Sequence, residues 1–109
     1  MSRFKGNIAE EKAIKFLCEV GFSIVERNFY SRFGEIDIIA TQNDILHFIE
    51  VKSGLDYENA VQNITKTKIS RLVKTAYIYM KKNSLDVNFV FDAVIITPKK
   101  IDFLENITI

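Results

Sequence analysis

The chain has 109 residues, a formal net charge of +1, 48% hydrophobic residues and nine phenylalanines. That apolar content excludes general disorder, and its apolar runs fall well short of the ~20 residues a bilayer span needs. One domain covering residues 1–109 is expected at this length, and one core must carry it. Cys18 is a lone cysteine and cannot form an internal disulfide; Met1–Gly6 lacks the apolar stretch of a secretory signal, so a cytoplasmic location is expected.

Ile8 to Val20 has helical spacing, with Ile14, Leu17 and Cys18 on one apolar stripe and Gly21 as the stop. Glu10 precedes Ala13, Ile14 and Leu17 on that face. It either points inward over a sheet or simply favours the positive end of the helix dipole. A strand is expected over Phe22 to Phe29, broken by Ser31-Arg32-Phe33-Gly34, and two more over Glu35 to Thr41 and Ile45 to Lys52.

Asn43 and Asp44 tolerate positive φ, so a two-residue turn there pairs Gln42 with Ile45. The same register sets Asp37 across from Glu50, with Cβ atoms about 5 Å apart, and puts Lys52 on the same face about 7 Å further along. Uncompensated charge inside apolar strands costs several kcal/mol, of order the penalty for burying an unpaired ion. Two carboxylates this close repel unless a cation intervenes, and Mg2+ (or Mn2+) prefers such hard oxygen ligands. Lys52 would then steady phosphate charge or orient water. The plainer alternative is an ion-pair network on an exposed sheet face.

Tyr57 to Lys82 is expected as one long helix, with Val61, Ile64, Leu72, Val73, Ala76, Tyr77 and Met80 facing the core. Between Asn59 and Asn83 the chain carries Lys66, Lys68, Arg71, Lys74, Lys81 and Lys82 and no acid, a local charge of +6 suited to phosphates. Lys68 and Arg71, three apart, share one face, and Lys74 extends it. Tyr77 and Tyr79 are candidates for base stacking, although the spacing of Tyr77 favours the core. Asn88 to Thr97 is a nearly continuous apolar strand ended by Pro98 and expected to lie parallel to an earlier one; Lys100 to Ile109 can add an edge strand. His47 has no second His or Cys nearby and suits a surface or hydrogen-bonded role better than zinc. Asp92 interrupts its apolar strand, either bonding backbone or helping to position the site.

The strand Gly34-Glu35-Ile36-Asp37-Ile38-Ile39-Ala40 followed by Phe48-Ile49-Glu50-Val51-Lys52 resembles the YraN family of predicted endonucleases, proteins similar to archaeal Holliday junction resolvases within the PD-(D/E)XK nuclease superfamily. The resemblance runs through nearly the whole chain. It implies an α/β, restriction-endonuclease-like fold, a mixed β-sheet flanked by helices in the order α-β-β-β-α-β-β. It further implies Asp37, Glu50 and Lys52 as catalytic residues, with Ile36 where the superfamily has proline. An N-terminal G-x-x-G-E-x-x-A pattern falls on Gly6, Ala9, Glu10 and Ala13, which adds Glu10 to Asp37 and Glu50 as a metal ligand. A basic helix position falls on Lys68, followed by Arg71 and Leu72, and a Phe-Asp pair falls on Phe91 and Asp92. Arginines common in the family are replaced by Gly54 and Val90. The expected function is metal-dependent hydrolysis of DNA phosphodiesters at branched structures, with a symmetric dimer as one arrangement. The alternatives are a nucleic-acid-binding module that keeps the scaffold without efficient catalysis, and a basic helix that docks on protein or anionic membrane.

Overall fold

The structure, a computed structural model, describes residues 2–108, the side chains of residues 2–7 excepted. Ile109, the end of the expected edge strand, lies outside the described residues, as do the surroundings of Gly6. The elements are α1 (Ser2–Glu19), β1 (Ser23–Ser31), β2 (Gly34–Gln42), β3 (Ile45–Ser53), α2 (Tyr57–Gln62), α3 (Lys66–Lys82), β4 (Asn88–Ile96) and β5 (Ile101–Leu104). The five strands form one mixed sheet in the order β1-β2-β3-β4-β5, antiparallel throughout except for the parallel β3–β4 pair. A crossover through α2 and α3 makes that parallel pair, as the strand-helix-strand succession requires.

Helix α1 covers one sheet face. Ala9, Ala13 and Leu17 pack there against Ile38, Ala40, Ile49, Val94 and Ile96. Gly21, at φ 99°, closes the helix as expected: its amide donates to the Cys18 carbonyl and the Phe22 amide to that of Leu17, the paired bonds of a glycine-terminated helix. The buried stripe runs through residues 10, 13 and 17, so Cys18 turns outward and is exposed, contrary to the expected buried position.

The other face is covered by α3, through Leu72, Ala76, Tyr79 and Met80 against Phe29, Ile36, Ile39, Leu46, Phe48 and Phe91, and by α2 through Ala60 against Ala93 and Ile95. The single helix expected from Tyr57 to Lys82 is therefore two. Asn63 caps the end of α2, and the Thr65 hydroxyl accepts from the Lys68 amide to start α3. Capping residues at 63 and 65 offer the backbone a better partner than a continued helix does. Thr65 also re-phases the apolar stripe: Tyr79, not Tyr77, is buried, while Tyr77 is 55% exposed and rests edge-on against Phe89. Tyr79 therefore belongs to the core and is no base-stacking residue, and the core position expected for Tyr77 is corrected to an exposed one. No described helix is long and apolar enough to cross a membrane.

The β2–β3 turn has the expected form, with Asn43 at φ 53° and Asp44 at φ 64°, and Gln42 pairs with Ile45. From there the ladder runs regularly to Ile38 opposite Ile49 and stops. The strands part where the acidic residues begin.

Candidate active site

Beside the point where β2 and β3 part, β1 holds a backbone irregularity. Arg27 pairs with Ile38 and Phe29 with Ile36, yet Asn28 between them sits at φ 52°. Asn tolerates this left-handed conformation better than most residues. Across from it, Ile36 packs in the α3 layer and Ile38 in the α1 layer, although residues two apart in a regular strand share a face. The alternation slips at Asp37.

Asp37 is directed across the gap to β3, where its Oδ2 accepts a 2.8 Å hydrogen bond from the Val51 amide. The Glu50 carboxyl lies beside the same group. Glu50 continues the row of Leu46 and Phe48, and Lys52 follows on the same face, its Nζ 3.6 Å from Glu50 Oε1. The structure thus brings together Asp37, Glu50 and Lys52. The Asp37 carboxyl is pushed up to about 8, first by burial, then by the hydrogen bond and the charge of Glu50; the Val51 amide and Lys52 pull the other way and lose.

Glu10 reaches this neighbourhood from α1. It is buried, and its pKa is raised above the ordinary carboxylate value by burial first and by Asp37 next, with Glu35 adding to the rise while Asn28 and Arg27 oppose it. Its Oε1 is sealed from solvent without a hydrogen-bond partner, and Arg27 Nη2 lies 3.8 Å away, Arg27 being engaged at 2.6 Å by Glu11. Among the described residues, no group of three His, Cys, Asp or Glu side chains is drawn together closely enough to hold a metal ion. Glu10 comes from the α1 layer and Glu50 from the row beneath α3, with Asp37 between them. The donor set that fits a divalent cation is thus the Asp37–Glu50 pair: hard oxygens, close together, with more negative charge than the fold itself compensates. Glu10 Oε1 is an unpartnered acceptor beside it.

Lys68, Arg71 and Lys74 are exposed on α3. Arg71 and Lys74 lie beside the β1–β2 turn: Arg71 Cβ would lie 3.6 Å from a Cβ built on Gly34, and Lys74 Nζ is 5.3 Å from the centre of the Phe33 ring. Gly54, where the resembling family has arginine, lies under the start of α2, and a Cβ there would meet Ala60 Cβ and N at 3.3 Å. The close seating of α2 on the end of β3 goes with the absence of a side chain at 54.

His47 and Asp92 belong elsewhere. Asp92 is 1% exposed and bonds His47 Nδ1 at 2.5 Å and the Asn106 amide at 2.9 Å, tying β3, β4 and the residues after β5. This resolves the open alternatives for Asp92 in favour of bonding backbone and a neighbouring ring. Sequence reasoning missed Asn28, which sits at φ 52° beside the slip and whose side chain opposes the rise of the Glu10 pKa. The available signal was an asparagine inside a strand, among the non-glycine residue types most tolerant of positive φ.

A mixed five-stranded sheet between helices, with an acidic pair and a lysine where two strands part, defines a restriction-endonuclease-like fold of the Holliday junction resolvase type. A solved structure with this architecture is Hjc from Archaeoglobus fulgidus, a Holliday junction resolvase from an archaeal hyperthermophile, which matches with a TM-score of 0.60 over 88% of this chain and 72% of that one. At 19% identity that likeness concerns the fold. Residues 9–96 match Uncharacterised protein family UPF0102, and the chain belongs to that family. A UPF0102 protein of Sulfurimonas denitrificans is 62% identical over the full length of both chains, and one of Aliarcobacter butzleri is 52% identical over 99% of each. Relatives in Helicobacter pylori are 47% identical over 97% of this chain and 92% of their own.

Proposed function

We propose that this protein is a metal-dependent endonuclease that hydrolyses DNA phosphodiester bonds, acting as one domain in the cytoplasm. The observation that carries the reading is Asp37, withdrawn from the sheet's alternation and held by the Val51 amide beside Glu50, with Lys52 within salt-bridge distance of Glu50. A structural ion-pair network would give Asp37 a cationic partner; here the charge that acts on it most strongly is another carboxylate, Glu50. Magnesium or manganese would be held by Asp37 and Glu50, with Glu10 a buried acceptor beside the pair, and when bound would supply Lewis acidity toward a phosphodiester oxygen and an attacking water.

The chain's own residues do the rest. Lys52 offers a mobile ammonium that can hold that water or neutralise charge growing on the phosphate. Val51 fixes Asp37 in place before substrate arrives, so the site needs little rearrangement. Lys68, Arg71 and Lys74 grip the backbone and orient the scissile bond. A symmetric pair of chains would present two such centres to two strands of a branched substrate.

The test is a cleavage panel of junction, flap, single-stranded and continuous duplex DNA in magnesium, manganese and chelator. Cleavage of at least one substrate with metal, and none with chelator, is expected. DNA binding without cleavage in either metal would instead favour a second reading, a nucleic-acid-binding module on a nuclease scaffold, to which Gly54 and Val90 in place of arginines lend support. On either reading, replacing Lys68 and Arg71 together by Ala should weaken binding to all DNA forms similarly and lower the salt slope of log K by about 1 for each phosphate contact removed, as salt-titrated anisotropy would show.

A further inference from the structure

Leu55 is the most exposed of the large hydrophobic side chains described, at 87%. It stands three residues beyond Lys52, in the link from β3 to α2. That link is held firmly. The Gly54 amide donates to the Ile96 carbonyl at 3.1 Å, and the Asp56 side chain accepts from the Asn59 amide at 2.9 Å and from its side-chain nitrogen at 2.8 Å. A hydrophobic residue just before a helix cap ordinarily folds back onto the fourth helical residue. Here that residue is Ala60, already fully buried beneath Gly54 and against Ala93 and Ile95. Leu55 is left projecting from a fixed backbone with no apolar surface to cover it.

The opposite flank of the parted strands carries a second apolar tip. Phe33, in the turn between β1 and β2, is half-buried, with the Arg32 guanidinium 4.9 Å and Lys74 Nζ 5.3 Å from its ring centre. Its backbone is also pinned: the Phe33 amide donates to Ser31 Oγ at 3.1 Å, and that hydroxyl is bonded at 2.8 Å to the buried Thr75. β2 begins at Gly34 and β3 ends at Ser53, so both tips lie at the sheet end where Asp37, Glu50 and Lys52 sit. Cations of α3 and the turn adjoin Phe33, which matches a polyanion rather than an apolar partner.

We propose that Leu55 is a wedge that enters a base step of DNA while Phe33 supports a base on the other flank, so that the substrate is DNA whose stacking is already interrupted, as at a flap, bulge or branch. Aliphatic side chains inserted between bases must pay for unstacking, and that cost is least where a base is unpaired or the helix discontinuous. An aromatic ring stacks on any base irrespective of sequence. The inference rests on the reading of Asp37 and Glu50 as the hydrolytic centre, which it supplies with a means of choosing where to act.

The experiment uses the full chain with calcium in place of magnesium, and oligonucleotides carrying 2-aminopurine either at a flap base or within continuous duplex. The protein should bind the flap about tenfold more tightly than the duplex and brighten the probe only there. Leu55→Ala and Phe33→Leu should each erase most of that preference and the brightening while leaving duplex affinity unchanged. Equal preference and brightening in Leu55→Ala, Phe33→Leu and the parent overturn the wedge even if magnesium-driven cleavage is intact. Preference and brightening in a protein that cuts nothing with either metal uphold the wedge and overturn the hydrolytic reading instead.

Discussion

Asp37→Asn should lower cleavage about a thousandfold or more, the equivalent of about 4 kcal/mol of lost transition-state stabilisation, within the range a metal's Lewis acidity supplies. Its fold should be at least as stable as the parent's when no divalent metal is present. The substituted side chain keeps an oxygen to accept from the Val51 amide, and it removes a desolvated acid from the side of Glu50. Glu50→Gln should act in the same direction. Single-turnover cleavage beside thermal denaturation in chelator separates the two effects. Activity surviving Asp37→Asn at more than a tenth of the parent rate would remove Asp37 from the chemistry.

The same carboxyl sets a pH dependence opposite to that of an ordinary salt-bridged aspartate. In the unfolded chain Asp37 loses its proton near the ordinary value of 3.8, whereas the folded protein keeps it to about 8. Between those values the native state binds more protons, so stability in chelator should fall as pH rises, by up to about 1.4 kcal/mol per pH unit, and level off above pH 8. Glu10, also raised by burial, adds to the fall. Magnesium held, as proposed, by the native, deprotonated pair should flatten the decline, giving its largest stabilisation at the alkaline end. Urea midpoints at several pH values, with and without metal, read this directly. Parallel curves for the parent and Asp37→Asn would show that Asp37 is not the titrating group.

Periodicity and turn chemistry carried most of this architecture. Asn43-Asp44 fixed a register that the structure reproduces from Gln42–Ile45 to Ile38–Ile49, and the apolar run of β4 announced its burial between layers. The acidic pair followed from extending that register, although the ladder itself stops one pair earlier. What periodicity could not supply was phase. Cys18 and Tyr77 were each placed about one residue off a buried stripe, since a single 100° step separates core from solvent on a helix. The division between α2 and α3 was written in Asn63 and Thr65, whose capping capacity outweighed an otherwise continuous helical pattern. Asn28 escaped notice because its effect lies in backbone conformation, which a side-chain pattern does not encode. The His47–Asp92 bond joins residues 45 apart and becomes visible only once β3 and β4 are side by side.

The slip shared by Asn28 and Asp37 implies that reactivity and architecture are separable in this molecule. Every regular stretch of the sheet, including the register from Gln42–Ile45 to Ile38–Ile49 that sets Asp37 opposite Glu50, could be conserved while a single β-favouring residue at position 28 removed the φ 52° irregularity beside them. What remained would be a sound scaffold with the surroundings of the acidic pair, and with them its proposed chemistry, altered. The irregularity that a builder of ideal sheets would correct is what gives this one a working edge.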